Sequence, residues 1–466
     1  MSRAKVGVVS LGCSKNLVDT EVMLGHLDGA GFSFVPGAED ADVLVVNTCA
    51  FIEASREESI RAILDAAALK KEGRLKRLVV AGCMVQRYRA ELEAELGSEV
   101  DAFVGLDELH TIVPAAGGVK SDLPILSARP NAPEPSHYLY TAATPRRLST
   151  SPWTAFVKIA EGCDHTCSFC AIPAFRGTFR SRTPEDVAAE VEALARSGVR
   201  EVNLIAQDSS HYGRDRGDRE GLAGLLRRLD AVEALRWIRV HYLYPNTVTD
   251  ALVAAMAELP RVVPYVDMPL QHAHPDTLRR MRRGGSGASH LALLDKFREA
   301  IPGAALRSTF IVGFPGETDA EFEELLRFVE EARFDHLGVF TYSHEESTGA
   351  FTSIDDVPAA VKEHRRDALM EAQQRIAFAR NEARVGSEVE VLLEGAHEDT
   401  DDLLVGRMAT QAPDVDGLVI VNDGFVTDEA ADDPRLLPHA RPGAFARVLV
   451  TETAGYDLVG RIVGAA

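Results

Sequence analysis

The run Ala155-Phe156-Val157-Lys158-Ile159 is followed one residue later by Glu161-Gly162-Cys163-Asp164-His165-Thr166-Cys167-Ser168-Phe169-Cys170. The first part is a short apolar, β-branched run and reads as a buried strand. The second places three thiols in eight residues with the spacing CxxxCxxC. Three thiolates are an incomplete tetrahedral set. A structural zinc site closes its shell with four protein ligands, and His165 would have to be the fourth from inside the first gap. An iron–sulfur cube held by three cysteines instead leaves one iron open to an outside ligand. The spacing favours the cube, with zinc as the competing reading.

Working outward, five more strand candidates follow: Glu201–Ile205, Trp237–Tyr242, Val262–Met268, Ser308–Val312 and Gly338–Tyr342. Helical patterns lie between them: a start at Thr183-Pro184-Glu185-Asp186, then Leu222–Leu229, Asp250–Leu259, His290–Ala300 and Asp319–Ala332. Thr as N-cap, Pro at the first position and early acids mark the first of these. Six strand–helix repeats predict a partial (βα)6 barrel rather than a closed eightfold one. The cysteine loop directly follows the first strand and so falls on the carboxyl face, where barrels place their chemistry. Gly313-Phe314-Pro315-Gly316-Glu317-Thr318 follows the fifth strand on the same face. It reads equally as a ligand-approaching loop or a tight turn.

The remaining cysteines are Cys13, Cys49 and Cys83, spaced 36 and 34 residues apart. Each follows an apolar run: Val6–Leu11, Val43–Val46 and Leu78–Val80. That spacing is one strand–helix–strand repeat, with helices expected over Asn16–Leu27 and Ser55–Leu69, the latter presenting Ile60, Ile63 and Leu64 on one face. Ligands of an open parallel sheet gather at the carboxyl ends of its strands, so the three cysteines are expected to converge. The competing reading is three buried small apolar residues.

The chain has 466 residues, 46% hydrophobic and 26% charged. It is long enough for about three domains. We divide it into an α/β domain (1–118), a Pro-rich linker (119–152) expected to run extended over the surface, the barrel (153–384) and a small β-barrel (385–466). The linker contains Pro124, Pro130, Pro133, Pro135, Pro145 and Pro152. A charged helix, Pro358–Arg384, leads to the last domain, whose strand patterns are Val389–Leu393, Leu418–Val421, Ala446–Thr451 and Leu458–Val463. The formal charge is −21 overall. Residues 386–466 carry sixteen acids, five arginines and no lysine, a formal −11. Such a domain suits a cationic partner and repels nucleic acid. No stretch is long enough to span a bilayer, and Val6–Leu11 is too short for a secretory core, so the expected location is the cytoplasm, with no membrane partner. A long chain without such a signal also argues against a disulfide framework.

At this point the residues resemble a known family. Glu161-Gly162-Cys163, Cys167-Ser168-Phe169-Cys170-Ala171-Ile172-Pro173 and Arg176-Gly177 resemble the motif of radical S-adenosylmethionine (SAM) methylthiotransferases. Ser10-Leu11-Gly12-Cys13-Ser14-Lys15-Asn16-Leu17-Val18-Asp19-Thr20-Glu21, Asn47-Thr48-Cys49 and Gly82-Cys83 resemble that family's three-Cys domain, and the tail resembles a TRAM domain. Ser14 stands where Pro is commoner and Thr20 where Ser is commoner. The Leu-Gly-Cys-x-Lys-Asn run and Pro269-Leu270-Gln271-His272-Ala273 resemble the branch acting on an aspartate of small-subunit ribosomal protein twelve. The alternative is the branch acting on tRNA adenosine. The acidic tail agrees with a basic protein substrate and with no direct tRNA binding.

The resemblance implies two 4Fe–4S clusters, one on Cys163, Cys167 and Cys170 that binds SAM, the other on Cys13, Cys49 and Cys83 that delivers sulfur. It further implies an electron donor such as a flavodoxin or ferredoxin, and a sulfur donor. Phe169 would lie beside the adenine, against packing under the loop. Gln207 and Asp208, at the end of the second barrel strand, would contact SAM, against simple loop capping. His272 and His274 are assigned a loop role and no catalysis.

Overall fold

The computed structural model describes residues 4–117, 136–424 and 440–466. Pro124, Pro130, Pro133 and Pro135 of the linker lie outside the described residues.

Strands Lys5–Ser10, Val43–Thr48 and Arg77–Gly82 pair in parallel at the centre of a five-stranded sheet edged by Ser33–Phe34 and Ala102–Val104. Alternation decides which face each side chain joins. Val43, Val45 and Val79 pack with Val18, Val22 and Leu27 of the helix Ser14–Gly29. Leu44, Val46, Leu78 and Val80 pack on the other face, with Ile63 and Ala66 of the helix Glu53–Lys71. That helix departs from the sequence reading. Its buried stripe is Ser59, Ile63 and Ala66, while Ile60 and Leu64 are exposed. Small residues can lie flat against a sheet, so the helix turns the side holding Ile63 with Ser59 and Ala66 inward and leaves Ile60 and Leu64 outside.

The six expected strands of the second domain are present, as two three-stranded parallel sheets. One is ordered Trp237–Val240, Glu201–Ile205, Thr154–Lys158, the other Tyr265–Asp267, Ala305–Val312, His336–Thr341. The bridge Ile238↔Val262 joins the two sheets. No pairing closes the first strand on the sixth among the described residues, so the barrel is open.

The described part of the linker runs without regular structure and largely exposed, but it is pinned by a few inward-facing side chains. Tyr140 is 1% exposed, and its hydroxyl accepts from the Lys158 N–H and donates to Glu190. Arg146 reaches Glu21 of the first helix at 2.5 Å and Glu190 of the barrel at 2.6 Å. Gly25 makes room for this: a Cβ there would stand 2.4 Å from the Pro145 carbonyl carbon. The segment is the packing between two domains, because its aromatic and guanidinium groups find partners only there.

Residues Glu388–Ala465 form a closed barrel of five strands. The strand that the sequence pattern misses is Thr400–Arg407, whose leading acids and Gly406 obscure the alternation. This domain plugs the amino end of the open barrel. Arg407, 1% exposed, pairs with Glu201 at 2.5 Å and with Glu394 at 2.6 Å. Arg239 also binds Glu201, at 3.0 Å. Asp416 accepts from the Tyr265 hydroxyl at 2.7 Å. Part of the acidic charge of the tail is therefore spent on this interface rather than displayed.

Candidate functional site

Cys13, Cys49 and Cys83 each follow the carboxyl end of a central strand, and the structure brings them together. Cys49 and Cys83 are buried and Cys13 is exposed. Burial pushes the Cys83 thiol up to about 12, against the pull of Arg176, with Cys13 and Cys49 close enough to add to the rise. The turns are tight. Gly82 has φ +97°, and a Cβ there would lie 2.1 Å from Asn47 Oδ1. Asn16 ties the loops together: its Nδ2 donates to the Leu11 carbonyl at 2.6 Å and the Thr48 carbonyl at 3.2 Å. Asn47 Nδ2 donates to the Asn16 carbonyl at 2.8 Å and to Thr20 Oγ1 at 2.7 Å, so Thr20 supplies the hydroxyl the loop needs.

The second set lies on the carboxyl face of the open barrel. Gly162 (φ +83°) lets the loop pass against Thr178, whose carbonyl would be 2.1 Å from a Cβ. Burial pushes the Cys163 and Cys170 thiols up to about 12, with Cys167 adding to each rise. Donors already point at the sulfurs. The His165 N–H donates to Cys163, the Ile172 N–H to Cys170 and the Phe51 N–H to Cys49. Arg176 donates to Cys83 Sγ at 3.0 Å and Arg283 to Cys167 Sγ at 3.7 Å. Hydrogen bonds of this kind stabilise thiolate, the form that ligates iron. Two three-thiol sets with donors aimed at their sulfurs fit two iron–sulfur cubes. His165 turns its Nε2 to Asp208 Oδ2 at 2.7 Å and stacks its ring on Tyr244.

A buried charge network runs between the two sets. Arg176, six residues beyond Cys170 at the end of the short helix Ile172–Arg176, binds both oxygens of Glu161 at 3.0 Å, Asp19 at 3.1 Å and Cys83. Lys158 pairs with Asp19 at 2.5 Å and Glu161 at 2.9 Å. Burial alone would raise the Glu161 carboxyl, but Arg176 and Lys158 hold it well below the ordinary range. Gln207 Nε2 donates to Glu161 Oε1 at 2.6 Å, while its Oε1 is buried with no partner. The sequence pattern named Glu161 and Arg176 as motif residues but gave no sign of Asp19 or Lys158 as their partners. Asp19 meets Lys158 and Arg176 only across two domains.

Of the other sequence candidates, Phe169 packs beside the cluster of Met281, Phe314, Tyr342 and Ala350. Asp208, 1% exposed, caps the turn Ser209–His211 through its Oδ1, in addition to holding His165. In the Gly313–Thr318 loop, the N–H groups of Gly313 and Phe314 are taken by Glu317. His272 is buried, with Nδ1 accepting from the His274 N–H. No helix among the described residues is long and apolar enough to cross a membrane.

Comparison with known proteins agrees with this architecture. Residues 157–329 match the radical SAM superfamily, 5–105 the uncharacterized protein family UPF0004, and 385–463 the TRAM domain. Among solved structures, the radical SAM methyltransferase TsrM from Kitasatospora setae superposes with a TM-score of 0.53 at 16% identity, over 75% of this chain and 77% of that one, which is a likeness of fold. The ribosomal protein uS12 methylthiotransferase RimO of Solibacter usitatus is 47% identical, over 98% of this chain and 95% of its own length. The RimO of Anaeromyxobacter sp. strain K is 48% identical, over 98% and 93%. Likeness at that level, end to end and through all three matched regions, means that the chain belongs to the RimO family of radical SAM methylthiotransferases.

Proposed function

We propose that the chain attaches a methylthio group to the β-carbon of an aspartate side chain in ribosomal protein uS12. Cys163, Cys167 and Cys170 would hold a 4Fe–4S cluster that binds SAM, and Cys13, Cys49 and Cys83 a second that carries the sulfur. When bound, these groups supply one-electron cleavage of SAM, removal of a hydrogen atom from an unactivated carbon, and the sulfur to be transferred. An electron donor such as a reduced flavodoxin or ferredoxin and a sulfur donor would serve them, in the cytoplasm where the ribosome is made.

The rest falls to the chain. Each triad offers three ligands and no fourth, so each would leave one iron corner free. The sulfur-directed N–H groups and the two guanidiniums fix the ligands and offset their charge. The Asp19–Lys158–Glu161–Arg176 network holds one domain's loops against the other's, which would bring the two clusters to one substrate space. Phe169 and Gln207 stand on the barrel face where SAM would lie, and Asp208 positions His165 beside Cys163.

The single observation that carries this reading is Arg176, a residue of one cysteine loop, bonded to Cys83 of the other set. The uS12 reading, rather than the tRNA alternative, rests on the relatives named above and on the acidic tail. The test is anaerobic turnover with a peptide copy of the uS12 target loop. Cys49→Ala should still produce 5′-deoxyadenosine and no methylthio product. Unimpaired product from that variant contradicts the assignment of the two sets.

A further inference from the structure

Asp19 and Glu161 are matched by Lys158 and Arg176, two anions by two cations. Lys15 stands outside that balance. It lies in the first turn of the helix that begins after Cys13, and it is 7% exposed. Its Nζ sits 3.0 Å from the centroid of the Tyr242 ring. Among the described residues its side chain makes no ion pair and no hydrogen bond, unlike Arg283 on the barrel face, which donates to the Pro269 carbonyl at 2.7 Å.

Tyr242 is itself held in an unusual way. It has φ +61°, rare for a residue with a side chain, at the carboxyl end of the strand Trp237–Val240. Its N–H is bonded to Asp267 and its carbonyl accepts from the Ser209 N–H. A strained backbone held from both sides marks a position fixed for use. The ring joins the apolar cluster beneath the three-Cys domain, so the Lys15 ammonium rests between that domain and the barrel mouth. A largely buried side chain whose ammonium has only an aromatic face as protein partner is poorly compensated, and it is made good when a carboxylate arrives. A single ammonium with no companion donor suits one carboxylate; phosphate recognition draws on several donors.

We propose that Lys15 binds the carboxylate of the substrate aspartate and so holds its β-carbon in the space between the two cysteine sets. This rests on the reading that the substrate is an aspartyl side chain, and it adds the residue that selects for it. Lys15 then determines specificity: an uncharged asparagine of the same shape leaves the ammonium unpaired.

The experiment uses the anaerobically reconstituted holoprotein and two labelled peptide copies of the uS12 loop, one with Asp and one with Asn at the target. Binding is read by fluorescence anisotropy, with SAM affinity and the electron paramagnetic resonance of both clusters as controls. The wild type should prefer the Asp peptide by roughly ten- to a hundredfold. Lys15→Met and the nearly isosteric Lys15→Gln should bind both peptides alike, with SAM affinity and cluster spectra unchanged. Lys15→Arg should recover part of the preference. Retained Asp preference in Lys15→Met or Lys15→Gln overturns the proposal. So does an altered cluster spectrum or SAM affinity with the preference intact, which would give Lys15 to the cofactors. A wild type that binds both peptides equally overturns it without any variant. A wild type that binds neither peptide overturns the aspartate reading on which it stands.

Discussion

The barrel is closed at both ends by buried charges, and the two ends differ in one respect. At the amino end, Arg407 and Arg239 meet Glu201 and Glu394, and the guanidiniums that reach beyond carboxylates find backbone carbonyls, Ala409 and Gln411. At the carboxyl end, Lys158 and Arg176 meet Asp19 and Glu161, but a guanidinium also reaches a thiol, a buried amide oxygen of Gln207 has no partner, and Lys15 has only a ring. Buried polar atoms without a hydrogen-bond partner occur at both ends: Asp416 Oδ1 and Trp153 Nε1 at the first, Gln207 Oε1 at the second. What sets the second end apart is the kind of partner its cations have, a thiol for Arg176 and a ring for Lys15, where those of the first have carboxylates and carbonyls.

That contrast can be broken by experiment. Arg407→Met leaves the buried Glu201 carboxylate with Arg239 alone and should destabilise the protein by about 3 kcal/mol, the lower end of the usual cost of removing one partner of a buried pair. Denaturant unfolding measures the loss, and the iron–sulfur absorption per folded chain should not change. Arg176→Met should do the converse in character. Product formation should fall by about a hundredfold, the scale of a small misplacement of reacting groups, while 5′-deoxyadenosine is still released. A fall in the midpoint potential of the cluster on Cys13, Cys49 and Cys83, read by a redox titration, should accompany it, since a cation and a hydrogen bond to sulfur are lost.

A smaller effect comes from His290, beneath the barrel wall. Both its ring nitrogens are buried without partners, and burial, with Arg283 adding, lowers it to about 4 from an ordinary 6.5. A depressed histidine favours the folded state while neutral. Its contribution is whole above pH 6.5 and is lost as pH falls through about 4, on the order of 2 kcal/mol. His290→Phe should flatten that limb of the stability–pH curve; an unchanged slope counts against it. Smallest of all, Leu64→Ser, outside both seams, should change stability by less than about 0.5 kcal/mol.

The strands and the cysteine positions were legible because both are local. β-Branched runs mark strands, and a thiol just past each run marks the strand's end. The pairing Asp19–Lys158 was not, because nothing within either segment says that 139 residues later an opposite charge will face it. The helix Glu53–Lys71 misled for a related reason: Ile60 and Leu64 look like a core stripe, but the sheet accepts Ser59 and Ala66 instead. Proline content says extended and exposed, and most of the described linker is both; what it does not say is that Tyr140 and the Arg146 side chain turn inward between the flanking domains. Lys15 lay in plain view in the Cys13 motif, and only the absence of a partner in three dimensions sets it apart.

The central claim is that two incomplete thiol sets face one substrate space. Anaerobic reconstitution followed by iron and sulfide analysis and electron paramagnetic resonance of the reduced protein tests it most directly. The account predicts about eight iron and eight sulfide per chain, as two four-iron clusters require, with dipolar broadening between the two reduced centres. A single cluster, a zinc-loaded colourless protein, or two centres with no magnetic interaction would contradict it.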